Sequence, residues 1–377
     1  MIVNPCFVYI FSFFIAIALY ILDWAGIYPK LGLSFFIFFI STFLIATVLS
    51  VFFGGRSALS IKRRLRLNGF NLEYVYVFGF IFEFLYLKSI PFFEILVGNN
   101  FDYSKFGVPV VHVLIMTYAS AVGVLRFYDY ILEGGKSRFL ISALPFFMFF
   151  LIYNRGAIVI QLVSYFFIYF CFHKMKFRFV FLLTPAFIVF MYLFGMLGNI
   201  RSGDDVMEET LQPTRNFYEL GIPKEFLWAY AYITSPISNF QYALEELSCE
   251  STVESCSNFT GLVVSEFMPD VLGKRIASIL NVDFQIPTPL VVENLNVTTT
   301  FSRAYYYFGW SGIFLMFFWI FGFFVIFEKT FKNSSLYVPV RAIICSMMAF
   351  SFFANMISFA GIVLQLFWMM VFRRALK

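Results

Sequence analysis

The sequence predicts an all-α polytopic membrane protein of about ten transmembrane helices with one large loop late in the chain. Three observations carry this expectation. Apolar side chains make up 61% of the 377 residues and charged ones only 13%, with a mean hydropathy of +0.82, where a soluble domain carries about 25% charged residues. Apolar runs of roughly 20 residues, the length a helix needs to cross a hydrocarbon core, follow one another through most of the chain. Residues 199–302 break the pattern with a polar, largely acidic stretch that has arginines at both ends.

Backbone polar groups in lipid must be satisfied within the segment, so each run is read as a helix. The spans are expected to begin near Cys6, Leu31, Phe70, Val108, Phe139, Ala157, Phe179, Ala304, Val338 and Met356. The first has no basic leader and no small-residue cleavage site, so it reads as a true span rather than a signal peptide. Glu73 and Glu83 interrupt the third and call for cationic partners that the sequence does not name. Pro145 and Pro185 are expected to kink the fifth and seventh spans. No internal repeat is visible. Residues 1–377 read as a single integral membrane domain of seven spans, the loop over 199–302, and three more spans.

Orientation follows from the lysine and arginine bias of short loops. The turns at 56–66, 126–138, 174–178, 329–341 and 373–377 hold seventeen basic residues; the opposite short loops hold only Lys30, Lys88, Lys105 and Arg155. Both termini are therefore expected in the cytoplasm and the long loop outside, in the periplasm of a Gram-negative cell. The net charge of +5 is a topology signal, not a nucleic-acid footprint. Cys6, Cys171 and Cys345 fall in spans and read as packing residues. Cys249 and Cys256 fall in the loop, where an exported compartment permits a disulfide; two free thiols are the alternative.

Phe226–Leu247 mixes aromatics with polar residues around Pro236, which predicts two short helices on or in the membrane surface joined by a proline turn. Three arginines stand at expected outer membrane edges: Arg155 in a tight connection, Arg201 at the end of the seventh span and Arg303 at the start of the eighth. A guanidinium binds phosphate through paired hydrogen bonds at any relevant pH. A lone arginine there also serves as a helix cap or snorkels to lipid phosphate; three on the side that the charge bias depletes point to function. His112, one turn into the fourth span, is a candidate general base or a packed histidine. His173 reads as interfacial. The loop carboxylates, Glu293 among them, read as mostly solvated. No metal-binding pattern and no phosphate-binding loop is present, so neither a metal nor another cofactor is expected.

Several blocks taken in order resemble the bacterial Wzy-type O-antigen polymerases, which join oligosaccharide repeat units. They are Phe106–Pro109 with His112, Asn154–Gly156, Gly198–Ser202, Tyr230–Asn239, and Asn296–Phe301 with Tyr305–Gly312. The resemblance implies a GT-C-like glycosyltransferase of the bacterial inner membrane, inverting and metal-independent. Such an enzyme transfers a growing glycan from undecaprenyl diphosphate onto the non-reducing end of a new lipid-linked unit. It further implies membrane lipid, a chain-length regulator and a flippase as partners, and no nucleic acid. Arg201 and Arg303 would then stabilise charge on the departing diphosphate, with His112 and Glu293 as candidates for orienting or deprotonating the attacking hydroxyl. Arg155, Asn199, Tyr232, Tyr305 and Tyr306 would bind substrate, the tyrosines equally well serving as interfacial aromatics.

The nearest rival is an O-antigen ligase, which shares donor and topology but typically carries a histidine in its large loop; none lies between Arg201 and Arg303. A transporter or flippase would be expected to show matching halves and mid-span charges. A membrane acyltransferase should show an early pair of Arg or Lys with His, and the first hundred residues contain no His.

Overall fold

A computed structural model describes residues 3–53, 71–97, 106–173, 177–203, 205–246 and 258–375. These form sixteen helices and no sheet, with one isolated bridge between Ala25 and Pro213. Helices α1 (Pro5–Tyr20), α2 (Leu33–Phe53), α3 (Leu72–Leu87), α4 (Pro91–Leu96), α5 (Val111–Glu133), α6 (Lys136–Leu151), α7 (Arg155–Phe172) and α8 (Phe177–Ser202) precede the large loop. The loop itself holds α9 (Val206–Leu211), α10 (Arg215–Glu219), α11 (Phe226–Glu246), α12 (Phe259–Glu266) and α13 (Asp270–Leu280). The chain closes with α14 (Ser302–Phe331), α15 (Tyr337–Ala349) and α16 (Ala360–Ala375).

Among the described residues, four helices are long and apolar enough to cross a membrane, Leu33–Val51, Val111–Glu133, Arg155–Phe172 and Ser302–Phe331, as in a multi-pass membrane protein. Their outward faces stay apolar, as at Ile37, Leu44, Leu162 and Phe318, because lipid rather than protein would cover them. Helices α1 and α15 are apolar but shorter.

The bundle is organised around α15, whose residues from Tyr337 through Met348 are all buried against α1, α7, α14 and α16. Burying the charged Arg341 there requires partners. Its Nε donates to the Val3 carbonyl at 2.7 Å, its Nη1 to the Tyr337 hydroxyl at 2.5 Å, and Glu328 of α14 faces it at 3.6 Å. The carboxylates of α3 also find partners: Glu73 accepts from Arg126 at 2.8 Å, and Glu83 pairs with a histidine instead of an arginine.

The expectation of two short helices around Pro236 is corrected. Phe226–Glu246 is one helix with Pro236 inside. It packs against α1, α8 and α14, and tertiary burial of this kind outweighs a local breaker. The α1–α2 connection is stitched to the loop by Gly26 N donating to the Leu211 carbonyl and Thr214 N to the Trp24 carbonyl, and by Gly32 N donating to Gln241 Oε1 at 3.1 Å. The described part of the large loop is thus a folded cap on one end of the bundle.

Candidate functional site

The site is built around the start of α14. Phe301, fully buried, inserts among Phe13, Phe38 and Phe39, its ring 4.9 Å from that of Phe38. This aromatic anchor fixes where the helix begins. Thr300 N donates to the Ser351 carbonyl at 3.1 Å, tying the same point to the turn before α16. Helix α14 breaks at Phe308 and Gly309, the latter at φ 57° and ψ −148°, a conformation open essentially to glycine alone. Arg303 therefore rides on its own short helical segment, with Gly309 as the joint.

Arg303 is about one-third exposed, and its Nη1 stands 3.7 Å from Oε1 of Glu266, which is 1% exposed at the end of α12. Glu266 Oε2 and its main-chain carbonyl both accept from Asn355 Nδ2 at 2.8 Å. Asn355 Oδ1 in turn accepts from Ile357 N at 3.0 Å. Burial pushes the Glu266 carboxyl above its ordinary value, with the charge of Arg303 and the Asn355 hydrogen bond opposing. Oε1 of Glu266 is buried without a hydrogen-bond partner, which leaves it electrostatically committed to the arginine. Beside it, Ser265 Oγ pairs with the Tyr307 hydroxyl at 2.9 Å and accepts from Gln285 N at 3.1 Å.

That network backs a cavity of about 620 Å³ lined by Val110, Asp270, Lys274, Arg275, Phe284 and Gln285. Gln285 is hydrogen-bonded to the residue next to Glu266, and Asp270 follows four residues after it. Lys274 and Arg275 are exposed on α13, so the cavity presents cationic side chains. Val110, two residues before His112, also lines it.

A second cavity of about 370 Å³ is lined by Thr210, Trp228, Tyr232, Ser235, Asn294 and Asn296, among others. Its polar lining is uncharged. Asn199 supports its wall, since Trp228 Nε1 donates to Asn199 Oδ1 at 2.6 Å. Asn239 holds the facing segment: its Nδ2 donates to the carbonyls of Leu295 at 2.6 Å and Val297 at 2.8 Å, and its Oδ1 accepts from Val291 N at 3.0 Å. An aromatic ring with amide and hydroxyl groups is the chemistry that binds neutral sugars.

The residues singled out in the sequence distribute unevenly. Tyr232 is 40% exposed and lines the second cavity. Tyr305 is buried, its ring 5.6 Å from that of Trp310, which makes it packing rather than a platform for sugar. Tyr306 is half-buried beside Tyr307. Arg155 is exposed at the start of α7, its Nη2 donating to the Tyr153 hydroxyl at 2.5 Å, and lines neither cavity. Glu293 is exposed; its neighbours Asn294 and Asn296, not Glu293 itself, line the second cavity. Arg201 lies in the last turn of α8, and its side chain falls outside what is described, as do Cys249 and Cys256 entirely. Glu266 and Asn355 were not legible beforehand. The signal for Glu266 was a carboxylate in a stretch, Val263 to Met268, whose other residues apart from Ser265 are apolar.

No protein-family model, no curated protein and no solved structure matches this chain. The functional reading therefore rests on the site.

Proposed function

We propose that this chain is a repeat-unit polymerase of the Wzy type: a ten-span inner-membrane enzyme with cytoplasmic termini and the 199–302 loop in the periplasm. It transfers a growing glycan from undecaprenyl diphosphate to a hydroxyl at the non-reducing end of the next lipid-linked unit. The observation that carries the reading is the setting of Arg303. A partly exposed guanidinium is paired with a buried carboxylate at the loop-covered end of the bundle, and Ser265, next to that carboxylate, accepts from Gln285 of a cavity lined by two further cationic side chains. Charge develops on phosphate oxygens as the anomeric C–O bond to diphosphate breaks. Preorganised cations in a partly desolvated site stabilise that charge more than water does. The uncharged cavity beside Trp228 and Tyr232 suits the glycan.

One observation favours a ligase reading as a second possibility. Val110 brings the neighbourhood of His112 to the wall shared with α13, so the lack of a histidine within the loop sequence no longer separates the two.

The test is the lipopolysaccharide ladder of a strain lacking the gene, complemented with wild type, Arg201→Ala or Arg303→Ala. A collapse to a single core-plus-one-unit band in the deletion, restored by wild type and not by Arg303→Ala at normal membrane level, supports the polymerase. Bare core in the deletion supports the ligase. An unchanged ladder overturns both.

A further inference from the structure

Glu83 lies in the outer half of α3 in the proposed topology and is completely buried. Its Oε1 accepts the Val108 N–H at 3.1 Å, and its Oε2 stands 2.8 Å from His112 Nδ1. An ionised carboxylate only accepts hydrogen bonds. Against an ionised Glu83, Nδ1 is the donor and Nε2 is left with the lone pair. Nε2 has no protein hydrogen-bond partner among the described residues, and the side chain is 18% exposed. The ring is held from its other sides too. Phe106 meets it edge-on with centroids 5.6 Å apart, Phe80 at 6.4 Å, and Gly107, at φ 108°, leaves the space that a Cβ would take from the imidazole.

The backbone that delivers the histidine is strained. Val111 N donates to the Pro109 carbonyl at 2.9 Å, closing a three-residue turn in which Val110 has φ 70° and ψ −48°. This is a rare conformation for any side chain and a costly one for a β-branched residue. Strain of this kind persists where surrounding structure over-determines it, typically at functional sites. Here it places Val110, two residues before His112, on the wall of the cationic cavity.

We infer that Glu83 and His112 form the acid–base dyad of the transfer, with Glu83 positioning the imidazole so that its Nε2 takes the proton of the attacking sugar hydroxyl. This inference rests on the proposed transfer from a lipid diphosphate. In the step, the acceptor O–H bond breaks and its proton goes to Nε2. The acceptor oxygen forms a bond to the anomeric carbon of the donor. The bond from that carbon to the diphosphate oxygen breaks, and its electron pair leaves with the diphosphate toward Lys274 and Arg275. Such a transfer needs nucleophile, anomeric carbon and leaving oxygen in line within one site. Glu83 is a positioning residue, since it touches the histidine and not the substrate. It also stabilises the imidazolium that forms.

The test is a double-mutant cycle on the purified full-length protein in lipid nanodiscs, with synthetic undecaprenyl-diphosphate-linked repeat units as substrate. Glu83→Gln and His112→Gln each lower kcat by about 10²-fold or more. KM stays within about threefold, since neither residue supplies ground-state binding. The double variant is no slower than His112→Gln, because Glu83 acts only through the ring. His112→Ala regains activity in proportion to added imidazole, which leaves wild type unchanged. This series decides the matter even where Glu83→Gln does not reach the membrane. Losses that multiply in the double variant, losses confined to KM, or no response to imidazole overturn the dyad while wild type remains active. A wild-type protein that extends no lipid-linked unit overturns the proposed function, and the dyad with it.

Discussion

The guanidinium of Arg303 and the carboxylate of Glu266 stand 3.7 Å apart, paired by charge but beyond hydrogen-bond reach. The two are separated by α13 and the segment before α14, and they meet because Asn355 clamps the end of α12 from the far side. An arginine held this way keeps its position without committing a donor to Glu266 Oε1, which suits the phosphate-binding role proposed for it.

This pair should be visible in the pH dependence of stability. Burial raises the Glu266 carboxyl above its ordinary 4.5. A carboxyl raised on folding contributes stability that is fully present below its unfolded value and lost as pH rises through its folded value. The melting temperature of wild type should therefore gain on that of Glu266→Gln as pH falls from neutral toward 4.5. Scanning fluorimetry of both proteins in one detergent measures the difference. A gap that stays constant, or moves the other way, contradicts the assignment.

Gly309→Ala should both destabilise the protein and impair polymerisation. Its φ of 57° with ψ of −148° lies outside the regions open to alanine, and forcing it costs about 1–3 kcal/mol. The relief of that strain would rotate the segment carrying Arg303. The expected result is a lower melting temperature with a shortened or absent ladder. A normal ladder would show that the joint does not set the position of the arginine.

Asn239→Ala should loosen the wall of the uncharged cavity before it affects α11. The change removes three hydrogen bonds to residues 291–297, and leaving such buried groups unpaired costs about 2–3 kcal/mol in sum. Hydrogen exchange should rise first at Val291 to Val297. Exchange that rises equally along α11 would argue instead for global unfolding.

The buried cluster at Arg341 should behave as structural. Arg341→Met alone strands Glu328, its partner at 3.6 Å, and should cost about 3–5 kcal/mol. Pairing it with Glu328→Met should recover most of that loss in thermal melts. A double variant as unstable as the single one would mean that the pair does more than neutralise itself.

Much of the helical architecture was legible beforehand, and the reason is local. Helix α7 begins at Arg155 behind Asn154, whose side chain accepts from Ala157 N at 2.9 Å, where the sequence placed a tight connection. Pro185 lies inside α8 and Pro145 inside α6, within the apolar runs read as the seventh and fifth spans. Phe226–Glu246 was misread because Pro236 is a local signal and the packing that overrides it is not. The carboxylate Glu266 was counted among solvated loop residues because nothing in its neighbourhood announces Asn355, eighty-nine residues on.

The sequence by itself determined the chemistry of each segment: apolar runs that must close their own hydrogen bonds in lipid, a charge bias between their ends, and a polar loop too long to be a connection. These follow from composition over a few turns of chain, so no fold is needed to read them. Only the tertiary structure decided which ionisable groups face one another. Glu83 meets His112, Glu266 meets Arg303, and Val110 comes to line a cavity with residues of α13. Burying a carboxylate is costly unless a cation or donor stands beside it, and which residue supplies that partner depends on the packing of helices far apart along the chain.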